Sequence, residues 1–241
     1  MIASIIPIIN FLLVFFYLPE TKPNSEINKS KTALKNPLKA LFTVFKEEKI
    51  KKLSLAFFIY FIAFTGLTNI LIFFLQESLN WTTKASSGTL VVVGIIAIIV
   101  QGGLIGPLVK QFGEMRLTLF GSGFILVACA LLITAPKENA TINIYSAVSF
   151  LAVGAGLITP TLRALISKKL DVDKQGSILS NLQGLQSLGG VLGIAMAGRV
   201  YDSFGPKSPF IAGSVILLFM IYLIAEGKNN NSFNNQNSKV S

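Results

Sequence analysis

Residues 154–205, GAGLITPTLRALISKKLDVDKQGSILSNLQGLQSLGGVLGIAMAGRVYDSFG, read as two apolar helices joined by a short charged turn. The first arm spaces Ala152, Gly156 and Pro160 four residues apart, and the second carries Gly189, Gly193 and Ala197, so each presents a smooth helix-packing strip. Apolar side chains gain little by leaving a lipid solvent, and membrane helices pack tightly through such small-residue strips. A polar strip accompanies each: Thr159, Arg163 and Ser167 on the first arm, Ser180, Gln183 and Ser187 on the second. Polar groups inside an apolar span face other protein or a wet cavity, because hydrocarbon is a costly neighbour for them.

Outward from this pair, apolar runs occupy residues 2–18, 53–75, 90–109, 117–135, 142–166, 178–200 and 210–225. Most match the roughly 20 residues a helix needs to cross the hydrocarbon core. Seven spans are therefore expected, the first kept as a span because no basic region precedes it and it ends in Pro-Glu-Thr without a small-residue cleavage site. The composition agrees: 52% hydrophobic, 13% charged, mean hydropathy +0.65. With no His, and Cys129 alone inside an apolar run, His-based catalysis, zinc clusters and disulfides within the chain are excluded. No enzyme, cofactor or metal is expected. The net charge of +10 sits at the flanks of apolar runs instead of along one face, which argues for a lipid bilayer and against nucleic acid as the partner.

The linker, residues 19–52, holds nine lysines. Asn36-Pro37 opens a short basic amphipathic helix with Leu38, Leu41, Phe42 and Phe45 on one face, expected at the membrane surface. If the linker is cytoplasmic, 17 of 21 Lys and Arg lie on the inner side and only Lys84, Lys137, Arg199 and Lys207 outside. That orientation makes the C-terminus cytoplasmic, and a cell (inner) membrane is the expected setting. Residues 1–18 are then a transmembrane helix, 53–226 a six-helix domain, and 227–241 a disordered tail rich in Asn and Ser.

The run G-x-G-L-x-x-P-x-x-x-x-x-x-S, then a charged turn and Q-G-x-x-x-x-x-x-Q-x-x-x-S-L, resembles the tenth and eleventh helices of major facilitator superfamily transporters, most of all the drug:proton antiporter branch with the tetracycline-efflux proteins. FYLPET, residues 16–21, is similar to the end of that family's sixth helix, and QGGLIGPLVKQFGEMR, residues 101–116, to its eighth-to-ninth turn. The resemblance implies an all-α polytopic fold: a C-terminal six-helix bundle of two inverted three-helix repeats, plus one preceding helix. It also implies secondary active transport, with efflux of small amphiphilic compounds, and a substrate site shared with an N-terminal half that this sequence does not include.

GPLVKQFG, residues 106–113, and GRVYDSFG, residues 198–205, both read G-x-x-x-x-x-F-G, each after the middle helix of a three-helix group. Gly106, Lys110 and Gly113 and their counterparts Gly198, Asp202 and Gly205 are thus candidate conformational turns. Where the family's inner turn carries an acidic residue this chain has Lys110, which speaks against a charge relay there.

Amides in apolar spans mark the pathway: Asn69 with Thr65 one turn away, Gln101, Gln183 and Gln186 are candidate substrate contacts, with Arg163 near the inner mouth. The competing role for these amides is to join helices by hydrogen bonds. Spans 117–135 and 210–225, without amides or charges, are expected to face lipid, so Gly213→Leu should be mild, whereas Gly193→Leu should disrupt assembly by filling the close-packed strip. No carboxylate lies deep in a span, so no proton-coupling group is apparent. Two alternatives stand beside transport: a non-transporting remnant or half-subunit needing a separate N-terminal half, and a seven-helix receptor or scaffold.

Overall fold

The computed structural model describes Phe16, residues 42–136 and residues 140–237. The chain divides into two units, Met1–Pro37 and Leu38–Ser241. Of the first, only Phe16, in helical conformation, is described. The rest of the expected span at residues 2–18, Leu38 and Leu41 of the expected surface helix, and residues 238–241 lie outside the described residues.

The second unit contains six long helices and, among the described residues, no strand: α1 (Lys51–Leu79), α2 (Thr83–Phe112), α3 (Glu114–Thr134), α4 (Thr141–Ser167), α5 (Val172–Phe204) and α6 (Ser208–Asn237). Local chemistry sets their ends. α1 stops where Asn80 takes a left-handed conformation, φ +53°, which a short polar side chain tolerates. Thr82 then opens α2, its Oγ1 accepting from the Ala85 amide at 3.3 Å. α2 and α5 both end at glycines of positive φ, Gly113 at +76° and Gly205 at +91°. α6 continues past residue 226, where the sequence suggested an end.

Among the described residues, five helices are long and apolar enough to cross a membrane: α1, α2, α3, α4 and Ser208–Glu226 of α6. The sequence also placed a span at residues 178–200. The helix is there and is the longest of the six, but Ser, Asn and Gln along it leave α5 less apolar than the others. The chain is thus an all-α, multi-pass membrane protein.

Packing follows an exchange between the two halves of the bundle. α1, first of the leading three helices, packs mainly on α5 and α6 of the trailing three, whereas α4, first of the trailing three, packs mainly on α2 and α3. Relabelling α1 as α4, α2 as α5 and α3 as α6 reproduces the same set of partners, and the positive-φ glycines fall at matching places. This is the pattern of an inverted three-helix repeat.

Glycines allow the closest approaches. A side chain at Gly193 would collide with the Ile62 carbonyl and Gly66 of α1, and one at Gly189 would lie 3.2 Å from the Phe58 carbonyl oxygen. α3 meets α4 where Gly121 and Gly154 face each other: a Cβ on Gly154 would sit 2.6 Å from the Gly121 oxygen. Sequence spacing had favoured Gly156 for that role, yet Gly156 instead receives the Val100 side chain of α2. Pro160 is half-buried beside an open groove of about 310 Å³ between α2 and α4.

Two expectations about exposure change. The described helix with the least buried surface is α2, whereas α3 and α6 each bury one face against neighbours. Gly213, expected to face lipid, is buried against Leu67, whose Cδ2 would lie 2.8 Å from an added Cβ. The described end of the expected surface helix is one 3₁₀ turn, Thr43–Phe45, docked on the bundle. Its buried residue is Val44, not Phe42, and Asn181 of α5 donates to Thr43 Oγ1 at 3.1 Å.

Ion pairs gather at the end that holds the start of α1. Lys52 meets Glu226 at 2.7 Å, Lys174 meets Glu47 at 2.8 Å, and Lys168 meets Glu114. At the opposite end the Tyr201 hydroxyl donates to Glu77 Oε2 at 2.7 Å, tying α5 to α1.

Candidate functional site

The two arms of residues 154–205 barely touch along their lengths; Gln175 donates to the Ser167 carbonyl at 3.3 Å beside the turn, and one polar cluster joins them farther along. Arg163, about one turn from the end of α4, sends Nη2 to Gln183 Oε1 at 2.7 Å and to Gln186 Oε1 at 2.5 Å on α5. Three residues separate the two glutamines, so helical spacing presents both amides to one guanidinium. The Arg163 Cζ also lies 5.9 Å from the centre of the buried Phe57 ring on α1, within cation–π range.

Phe57 belongs to an aromatic bed. Its ring is 4.8 Å from Phe61, Tyr60 is 4.9 Å from Phe61, and Tyr60 stacks on Phe64 at 5.5 Å. The Tyr60 hydroxyl and Thr159 Oγ1, 3.3 Å apart, fasten this bed to α4 one turn from Arg163. Three helices thus hold a cation between neutral amides and rings. Among the described residues Arg163 has no carboxylate partner.

The other candidates lie elsewhere. Asn69 is exposed and spends its amide on the Thr65 carbonyl at 2.9 Å, and Thr65 faces Gly190 of α5, about 12 Å along α1 from Phe57 at 1.5 Å per residue. Gln101 is exposed beside Gly156, away from hydrogen-bonding reach of the arginine cluster. It lies in a five-residue π-helical segment, Val100–Leu104, inside α2. Such segments recur at functional sites, and the run Gln101-Gly102-Gly103 within an apolar span was its available signal. Gly106 and Gly198 have open space where a Cβ would go, and Lys110 and Asp202 are exposed. Lys110 lines the groove with Glu114 and Pro160. Sequence reasoning missed Phe57 and Tyr60, which support the cluster from within the core, and Tyr201, because an aromatic in an apolar run carries no mark of the polar group it will meet.

A multi-pass helical bundle with an inverted repeat and a polar cluster between its helices defines a membrane protein of the transporter class. The chain belongs to the Major Facilitator Superfamily, whose family model matches residues 1–194. Among curated proteins it is 26% identical over 130 residues to the class C tetracycline resistance protein of Escherichia coli, covering 54% of this chain and 32% of that protein. It is 24% identical over 200 residues to the class H tetracycline resistance protein of Pasteurella multocida, covering 83% and 49%. It is also 21% identical over 252 residues to the human hippocampus abundant transcript-like protein 1, covering 93% and 49%. The chain spans about half the length of these relatives, or less. The resemblance to the tetracycline-efflux branch read from the sequence is met by these relatives.

Proposed function

We propose that this six-helix unit forms one wall of the path of a secondary transporter that exports small amphiphilic compounds. The observation that carries the reading is the cluster of Arg163, Gln183 and Gln186 on a face of α5 that also exposes the apolar Leu179 and Val191: polar donors and acceptors beside apolar side chains, which suits a molecule with one polar and one apolar part. Family membership and the tetracycline resistance relatives support the export direction. On this reading Gln183 and Gln186 contact substrate, Arg163 stands at the inner mouth, Thr65, Asn69 and Gln101 line the path farther along, and the two glycine turns act as hinges during rocking between inward- and outward-open states.

The wall needs an opposite wall. α2 exposes Leu90, Val91, Ile95, Ile98 and Ile99, and α5 exposes Ser187, Val191 and Ile194, faces that fit a second six-helix half. The test is drug accumulation in cells that express the transporter containing this chain. Gln183→Leu combined with Gln186→Leu should raise accumulation to the level of cells without the transporter, while the protein remains in the membrane. Unchanged efflux in that double variant would overturn the site.

A further inference from the structure

We infer that the Arg163 cluster reads an anionic group on its ligand, so that the compounds this path takes carry a carboxylate, sulfonate or phosphate beside their apolar part. The inference rests on the transport reading above and narrows it to a substrate class.

The unspent hydrogen-bonding capacity of Arg163 points this way. A guanidinium has five N–H donors and no acceptor. Both bonds made by Arg163 leave from Nη2, and among the described residues Nε and Nη1 have no hydrogen-bond partner. Three donors stay free. The partners that are present, two amide oxygens and a ring, are neutral: they orient the cation without cancelling its charge.

Charge balance agrees. Within residues 53–75, 90–109, 117–135, 142–166, 178–200 and 210–225 there is no Asp or Glu, and the only charged side chains are Arg163 and Arg199. A charge inside a membrane span is costly unless paired or wet, and this chain's spans supply no counter-charge. A planar fork with free N–H groups matches the two oxygens of a carboxylate or sulfonate, which accept in parallel. The apolar remainder of such a ligand then meets Leu179 and Val191, the exposed apolar side chains one and two turns from Gln183 on the same face of α5. Exposed cations at the same end of the bundle that enter no ion pair among the described residues, Lys46, Lys49, Lys110 and Arg116, raise the local concentration of anions near the mouth.

The experiment is a calorimetric titration of the chain in nanodiscs of zwitterionic phosphatidylcholine with three ring-matched probes: 2-naphthalenesulfonate, its uncharged sulfonamide, and a naphthylmethylammonium. The expected result is a sulfonate affinity about tenfold or more above that of the sulfonamide, and ammonium weakest. Arg163→Gln should bring the sulfonate affinity down to that of the sulfonamide in the same variant, and Arg163→Lys should keep part of the preference. Equal or reversed affinities in the unaltered chain overturn the inference even if Arg163→Gln fails to fold. A preference that survives Arg163→Gln overturns it too, by showing that a surface lysine reads the charge. Binding of the sulfonamide and ammonium alone leaves the transport reading standing and sinks the anionic class, whereas no binding by any probe sinks the site itself. Repeating the titration on the assembled full transporter excludes a carboxylate from the second half as the true partner of Arg163: loss of the sulfonate preference there overturns the inference.

Discussion

Gly193 has room for a hydrogen and nothing larger, because the carbonyl of Ile62 occupies the place a Cβ would take. Backbone cannot step aside as a side chain can, so Gly193→Leu should cost ~3 kcal/mol or more, at or above the upper end of overpacking penalties. Gly213 meets Leu67, which can rotate, and Gly213→Leu should cost about 1–2 kcal/mol. Gly198 sits within α5 with open space around it, and Gly198→Ala should stabilise by ~0.5–1 kcal/mol. Thermal unfolding in detergent checks the order, and a Gly198→Ala variant less stable than Gly213→Leu would refute it. At this scale the sequence was informative where chemistry contrasts with surroundings. Arg163, Gln183 and Gln186 stand out in apolar runs, and the structure brings them together. It was silent where two like residues compete: Gly154 and Gly156 lie about 200° apart around the helix axis, and spacing alone does not say which one meets another backbone.

Among elements, the segment before α1 is held to α5 by Glu47–Lys174 and by Asn181–Thr43. The hydrogen bond and charge of Lys174 hold the Glu47 carboxyl below the usual carboxylate range. A carboxyl whose folded pKa is depressed stabilises docking above its unfolded value, and that contribution is lost as pH falls through the folded one. A spin label at Glu48 should therefore stay immobile from neutral pH down through the ordinary carboxylate range near 4, and gain mobility only below it. Glu47→Gln should remove this pH-dependent step in mobility. Mobility that rises near pH 6 would assign the docking to another group. At the opposite end, Tyr201→Phe removes the hydroxyl that ties α5 to Glu77, and faster hydrogen exchange over residues 200–204 is the expected outcome. The sequence located the helices well, since length and hydropathy mark membrane spans strongly. It misjudged which faces they bury, because α3 and residues 210–225 of α6 lack amides for reasons of packing as well as lipid contact.

For the whole molecule, the buried Cys129 leaves a quiet background for thiol labelling. A hydrophilic maleimide should label Ser187→Cys, on the polar face of α5, quickly, and Val215→Cys hardly at all. Val215 belongs to the exposed apolar stripe Ile211, Val215, Leu218, Phe219 and Tyr222 of α6, which suits lipid. Equal labelling would dissolve the distinction between wet and lipid-facing sides. The bundle's exchange of helices between its halves was legible only as a faint echo, the two G-x-x-x-x-x-F-G turns, because partners so far apart in the chain leave no local pattern. Glu77 finds Tyr201 124 residues on, and Tyr60 finds Thr159 99 residues on. A ribosome adding about 5–20 residues per second takes roughly 6–25 s to cover the longer of these distances. During that interval α1 has entered the bilayer while α5, the helix Gly193 lets it clasp, is still unmade. Its hydroxyls and the groove at Gly66 then wait without the partners they have in the finished bundle, so α1 is the helix most exposed to wrong neighbours while the chain is being made.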